Sequence, residues 1–105
     1  MGARERRKGA VGELELAAWL SNRGYPAWRG RQFSGSPESP DVVCPSLAIH
    51  FEVKRTERLS LYPAMAQAIG DAGERMPLVA HRRNRGEWLA VLRLEDLLKL
   101  MRGSS

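Results

Sequence analysis

The sequence is poor in cysteine and lacks long apolar runs. Cys44 is the only cysteine among 105 residues, which excludes an internal disulfide and a cysteine-rich zinc site. A membrane-spanning helix needs a stretch of about 18 apolar residues, and the sequence contains none. The basic start is not followed by the apolar core of a signal peptide. These absences predict a soluble, cytoplasmic protein with no membrane partner.

Charge and length narrow the class of protein. Seventeen basic and 12 acidic residues leave a formal net charge of +5, which favours polyanionic partners, although many basic proteins bind no nucleic acid. The length predicts one domain, 1–105. Within it we expect a basic N-terminal segment, 1–8, and a frayed tail, 103–105.

Hydrophobic periodicity predicts helix, three strands, helix, two strands and helix. Gly24 suits the left-handed residue after the first helix, Ser60 is a candidate N-cap for the second, and Pro63 fits its first turn. This order predicts an α/β fold with a central mixed five-stranded sheet flanked by helices. The predicted helices are 4–22, 61–74 and 94–101, and the strands are 25–29, 41–45, 47–55, 76–81 and 87–92.

Glu13 lies on the apolar stripe of the first predicted helix, with Leu16, Ala17 and Leu20 at helical spacing. A carboxylate among apolar side chains is costly unless a cation compensates it. The alternatives are a glutamate favoured by the helix macrodipole or one at the rim of the stripe.

A second group of charges lies on the predicted strands. Asp41 opens the first core strand, while Glu52 and Lys54 are two residues apart on the next and project from the same face. Such charges on a strand rich in Ile, Phe and Val indicate a face that opens into a site. The alternative is a solvated sheet face, which antiparallel sheets often have.

These motifs together resemble a known family. S-P-D, ten residues and E-V-K, preceded by a helical glutamate and followed by a helix with Gln67, resemble the PD-(D/E)xK nuclease superfamily. The segment RKGAVGELELAAWLSNRGY is similar to the opening of archaeal-type and phage Holliday junction resolvases. The resemblance covers nearly the whole chain and implies a restriction-endonuclease-like core. One departure is Leu14, where resolvases often carry arginine.

The resemblance implies a role for each motif residue. Asp41 and Glu52 would bind Mg²⁺, for which Mn²⁺ would substitute, with the carbonyl of Val53 as a further ligand. Glu13 would complete the site directly or through water, and Lys54 would orient or polarise the attacking water. Gln67 would support the site. Oxygen ligands from converging carboxylates are also what Mg²⁺ prefers on chemical grounds.

The implied activity is phosphodiester hydrolysis in DNA, with paired nicks across a four-way junction made by a homodimer. The protein would act in the cytoplasm, or in the host cytoplasm if a phage encodes it. One alternative is a phage or repair nuclease acting on flaps, single strands or replication intermediates. Another is a non-catalytic DNA-binding module with a nuclease fold.

DNA contact is assigned to basic ends and loops that would hold phosphates without reading sequence. Arg29 matches a family arginine near the phosphate, with Arg31 as its rival. By contrast, we expect Trp19, Trp28 and Trp88 to serve packing rather than base stacking, and His50 and His81 to serve packing or surface roles. The predicted DNA contacts are Arg4, Arg6, Arg7, Lys8, Arg29, Arg31, Ser34, Ser36, Arg55, Arg58, Arg82, Arg83 and Arg85.

Overall fold

A computed structural model describes the backbone of residues 2–30 and 40–103, and the side chains from residue 10 onward within those ranges. The order of elements and the α/β class are as predicted. The helices are α1 (Gly2–Ser21), α2 (Leu61–Asp71) and α3 (Leu94–Gly103). The strands are β1 (Trp28–Arg29), β2 (Val42–Val43), β3 (Ile49–Arg55), β4 (Met76–Arg82) and β5 (Leu89–Val91).

The described strands form one mixed five-stranded sheet in the order β1-β2-β3-β4-β5. Neighbouring strands are antiparallel except β3 and β4, which are parallel. A parallel pair needs a crossover, and α2 supplies it between these two strands. The carboxyl ends of β3 and β4 therefore meet at one edge, where Arg55 pairs with Arg82.

Helix α1 covers one face of the sheet, where Leu16 and Leu20 share a buried cluster with Phe51 and Leu78. A Cβ added at Gly12 would lie 2.6 Å from the Cβ of Arg55. The helix therefore crosses the end of β3 at a distance that only glycine permits. The helix ends as predicted, because Gly24 takes a φ of 91° beyond its last turn.

Helix α2 covers the opposite face, where Ala64 and Ala68 pack with Val79. Ser60 stands at the N-cap position, as predicted, but its hydroxyl makes no capping hydrogen bond. Instead, its carbonyl accepts the N–H of Ala64. The helix ends at Asp71 and not at residue 74, because the chain turns through Gly73 at a φ of 60°.

Strand and tail boundaries differ modestly from prediction. The strand predicted over 25–29 is reduced to β1, because Tyr25 donates its N–H to the carbonyl of Leu20 and so belongs to the end of α1. The strands predicted over 41–45 and 87–92 shorten to β2 and β5, and α3 continues to Gly103. Within the described ranges, no helix combines the length and apolar composition needed to cross a bilayer.

Candidate active site

Asp41 and β3 meet at an irregularity at the start of β2. Val42 is the partner of Phe51 in the sheet, yet Asp41 also donates its N–H to the carbonyl of Phe51, at 2.9 Å. Two consecutive residues thus oppose one, the arrangement of a β-bulge, which redirects a side chain. The redirected carboxylate of Asp41 accepts the backbone N–H of Val53 through Oδ2, at 2.7 Å.

This contact sets Asp41 beside the E-V-K segment. In a strand that pairs with an antiparallel neighbour, the N–H and C=O groups of residues two apart point toward the same neighbouring strand. The carbonyl of Val53 therefore points, like that of Phe51, toward the side on which Asp41 lies. The predicted ligands Asp41 and Val53 are adjacent here, and Glu52 is joined to Val53 by one peptide bond.

Glu52 and Lys54 point to the α2 face, because they alternate with Phe51 and Val53, which pack with the α1 cluster. The side chain of Glu52 is only 3% exposed, and its Oε2 lies 3.7 Å from Nζ of Lys54. The interpretation of this segment as a solvated sheet face is therefore wrong for Glu52, which α2 shields. Lys54 is 33% exposed and reaches solvent.

Gln67 lies near Lys54. Both line a cavity of about 270 Å³ between the end of β3 and the first turns of α2. Gln67 itself is exposed, so its amide can reach a group that enters this cavity. Its supporting role stays a prediction.

Glu13 is buried in the middle of α1, at 9% exposure, which rules out the helix-start and rim interpretations. Its Oε1 accepts a hydrogen bond from Nε of Arg29, at 2.8 Å. Arg29 pairs with Val42 across β1 and β2, and the next residue, Gly30, donates its N–H to the carbonyl of Asp41. Glu13 is thus linked to Asp41 indirectly, through its hydrogen bond with Arg29 and the neighbouring Gly30. Helix α1, which carries Glu13, lies on the opposite face of the sheet from Glu52.

His50 and Asp71 join Glu52 in a group that the sequence did not predict. One ligand atom from each of the three lies within 4.8 Å of the others. Nε2 of His50, which is 2% exposed, lies 3.9 Å from Oε1 of Glu52. Glu13 and Asp41 fall outside this group. Within the described residues, the three predicted carboxylates of Glu13, Asp41 and Glu52 therefore do not form one tight cluster.

The buried carboxylates fit a divalent cation in their chemistry. Asp41 is 3% exposed and Glu52 is 2% exposed, and an ionised carboxylate is costly at such depth without positive charge nearby. Carboxylate and carbonyl oxygens are the hard ligands that Mg²⁺ selects. The same oxygen ligands also suit Mn²⁺. The donors around β3 are thus compatible with either ion.

The predicted DNA contacts divide by environment. Arg58, Arg83 and Arg85 are exposed, and Arg85 has a φ of 61° in the turn after β4. Arg55 and Arg82 are instead held by Glu15, whose Oε1 lies 2.8 Å from Nε of Arg55 and 3.2 Å from Nη1 of Arg82. The side chains of the predicted contacts Arg4, Arg6, Arg7, Lys8, Arg31, Ser34 and Ser36 lie outside the described residues.

Three residues of this region were not expected from the sequence. Glu15 falls off the apolar stripe of α1, yet it forms ion pairs with two arginines. His50 could have been suspected, since it lies two residues before Glu52 on the same strand face. Asp71 gave no signal, because only the parallel crossover brings the end of α2 beside β3.

Comparison of the chain with protein-family models, curated proteins and solved structures found no match.

Proposed function

We propose that the protein is a metal-dependent DNA endonuclease of the PD-(D/E)xK type, with a restriction-endonuclease-like core. One observation carries the proposal. At the bulge before β2, the carboxylate of Asp41 accepts the N–H of Val53, the residue between Glu52 and Lys54 in the sequence. Two buried acids, Asp41 and Glu52, and the partly exposed Lys54 are thus associated with residues 52–54 of β3. Stability alone does not require this arrangement, because buried charge is a weak source of stability.

Asp41, Glu52 and the carbonyl of Val53 would hold Mg²⁺, and Mn²⁺ would replace it. The bound ion would supply Lewis-acid stabilisation of a phosphodiester and activation of a water nucleophile. Lys54, whose ammonium group reaches solvent beside Glu52, would stabilise negative charge on the reacting phosphate. Gln67 would position a phosphate or water in the cavity it shares with Lys54.

The surroundings favour DNA as the substrate. The carboxyl ends of β3 and β4 bring Arg55 and Arg82 together, and exposed arginines follow each strand. Because Glu15 offsets only one charge of the Arg55–Arg82 pair, this edge remains net positive. Such an edge binds phosphates irrespective of sequence and gives a steep salt dependence.

The most specific form of the proposal is a junction-resolving enzyme that acts as a homodimer. Paired nicks need two sites related by a twofold axis. Helix α3 offers a surface for this, because it carries an exposed apolar stripe at helical spacing. The stripe consists of Leu94, Leu97, Leu98 and Met101, which are 71%, 40%, 53% and 67% exposed.

The charges of α3 favour a second copy of the same helix as the partner. Its first turn carries the exposed Glu95, and its last turn carries Arg102. Asp96, also in the first turn, is buried and held by Arg93. An antiparallel pair of α3 helices would place each acidic end beside the partner's basic end and oppose the two helix dipoles. The apolar stripes would face each other in the same arrangement.

A panel of labelled DNAs in Mg²⁺ tests the proposal: four-way junction, flap, nicked duplex, linear duplex and single strand. Symmetric paired nicks in the junction alone would support the resolving activity. Trimming of flaps or single strands would support nuclease activity but show that the substrate is not a four-way junction. Binding without cleavage of any of the five DNAs would leave only a DNA-binding module.

A further inference from the structure

A cleft of about 570 Å³ lies between the second half of α1 and the turn after β4, and the proposed cleavage chemistry does not use it. Its volume falls in the range of pockets that hold small organic ligands. Two tryptophans line it, Trp19 from α1 and Trp88 from the segment before β5.

Trp19 presents an aromatic surface in the cleft. Its side chain is 38% exposed, and the guanidinium carbon of Arg23 lies 3.8 Å from its ring centroid. The same arginine donates a hydrogen bond from Nη1 to the carbonyl of Trp19, at 3.1 Å, which fixes the stack. Trp88 packs partly against the core and gives the cleft a rigid wall. Indole rings and guanidinium planes are the surfaces on which unpaired nucleobases stack.

Polar groups complete the cleft. Arg23 and Arg82 line it together with Glu15 and Glu87. Arg55, which is not on the lining, forms an ion pair with Glu15. Three guanidinium groups thus oppose two carboxylates, which leaves the cleft and its wall net positive. Asn22, also on the lining, carries an amide that can both donate and accept hydrogen bonds at a base edge.

The cleft adjoins the proposed catalytic strand. Arg82 lies on its lining and is the sheet partner of Arg55. By strand alternation Arg55 shares the α1 face with the cleft, whereas the preceding Lys54 projects from the α2 face. Neighbouring strands are about 4.8 Å apart. A nucleic acid that crosses this edge of the sheet would have a phosphate near Lys54 on one face and a nearby base in the cleft on the other.

We infer that the cleft binds a nucleobase of an unpaired DNA nucleotide, stacked against Trp19 and the guanidinium of Arg23. This inference rests on the proposed function, which supplies DNA as the ligand. It adds that the enzyme would select DNA with an unpaired nucleotide. A branch point or a single strand offers an unstacked base, whereas a continuous duplex offers one only after a base is flipped out at a cost.

The test measures equilibrium binding in EDTA, so that no cleavage intervenes. Fluorescein-labelled single-stranded DNA and a blunt duplex of the same sequence are titrated with the wild type, Trp19→Ala, Trp19→Phe and Trp28→Ala. Trp28 is a matched control, because it is 49% exposed and lies on β1, away from the cleft. Trp19→Ala should lose roughly 5- to 150-fold in affinity for the single strand and change duplex affinity less than twofold. Trp19→Phe should retain most of the affinity, and Trp28→Ala all of it.

A second readout does not depend on the alanine variant being folded. In a Trp28→Phe background, saturating single-stranded DNA should protect part of the tryptophan fluorescence from quenching by acrylamide, whereas duplex should not. The inference is overturned if Trp19→Ala, shown to be folded, binds the single strand like the wild type, or if acrylamide quenching is the same with and without that DNA. A wild type that cleaves nothing but shows Trp19-dependent binding would refute the nuclease proposal alone.

Discussion

The carboxylate of Asp41 accepts the backbone N–H of Val53 at 2.7 Å, although the two residues are twelve apart in the chain. This bond places a buried acid next to the strand segment that carries Glu52 and Lys54. The bulge that makes it possible lies at Asp41, directly before the two residues of β2. The irregular start of β2 is thus the feature from which the proposed chemistry follows.

Replacement of Lys54 should separate activity from stability. Lys54→Gln removes the ammonium group proposed to stabilise the reacting phosphate, so cleavage should fall by about 100- to 1,000-fold. Thermal unfolding should change little, because the side chain is 33% exposed and its contact with Glu52 is long, at 3.7 Å. Lys99→Gln is the matched control, since Lys99 also lies 3.7 Å from a glutamate but on α3. Equal cleavage by the two variants would remove Lys54 from the mechanism.

Calorimetric titration with Mg²⁺ should distinguish the two acidic positions around β3. Asp41→Asn should abolish the binding heat, because the proposal assigns Asp41 to the ion. Asp71→Asn should retain it, although Asp71 belongs to the group with His50 and Glu52. Loss of Mg²⁺ binding in Asp71→Asn with retention in Asp41→Asn would move the ion to the α2 side of the strand.

Glu15 should matter for stability. It binds Arg55 and Arg82 through one oxygen, and the Arg55 side chain is only 12% exposed, so Glu15→Ala leaves two close cations uncompensated. Because Glu15 itself is 30% exposed, solvent screening limits the expected cost to about 1–2 kcal/mol in chemical denaturation. Glu95→Ala, at a position 75% exposed on α3, should cost less than about 0.5 kcal/mol. Equal costs would show that the Glu15 network contributes no more than a surface pair.

Helix α3 should control oligomeric state. Leu98→Asp places a charge in the middle of the exposed stripe, so sedimentation velocity should show a shift from dimer to monomer. Tyr62→Asp is the control, because Tyr62 is 82% exposed on α2. A wild type that sediments as a monomer at all concentrations, or a Leu98→Asp variant that remains dimeric, would contradict the assigned interface.

Local patterns in the sequence predicted much of the fold. The alternation around Glu52 and Lys54 predicted β3 and its two faces, and the stripe around Glu13 predicted which side of α1 is buried. Gly24 marked the end of α1 because a φ of 91° is open to glycine at little cost. Each of these features depends on residues close together in the chain.

The remaining features depend on long-range pairing. Glu15 and Arg55 are 40 residues apart, and no local pattern records their ion pair. Glu13 was expected at the metal, but Arg29 holds its carboxylate from β1. Glu52 is buried because α2 covers its face of the sheet. The strand pattern alone did not determine whether this face is covered or exposed to solvent.

The most direct test compares cleavage of a labelled four-way junction in Mg²⁺ by the wild type and by Asp41→Asn, purified in parallel. The asparagine can still accept the Val53 N–H through its amide oxygen, so the fold should persist in thermal unfolding while the negative charge is lost. The account predicts junction cleavage by the wild type and a rate at least about a hundredfold lower for the variant. Cleavage by Asp41→Asn at the wild-type rate would contradict it.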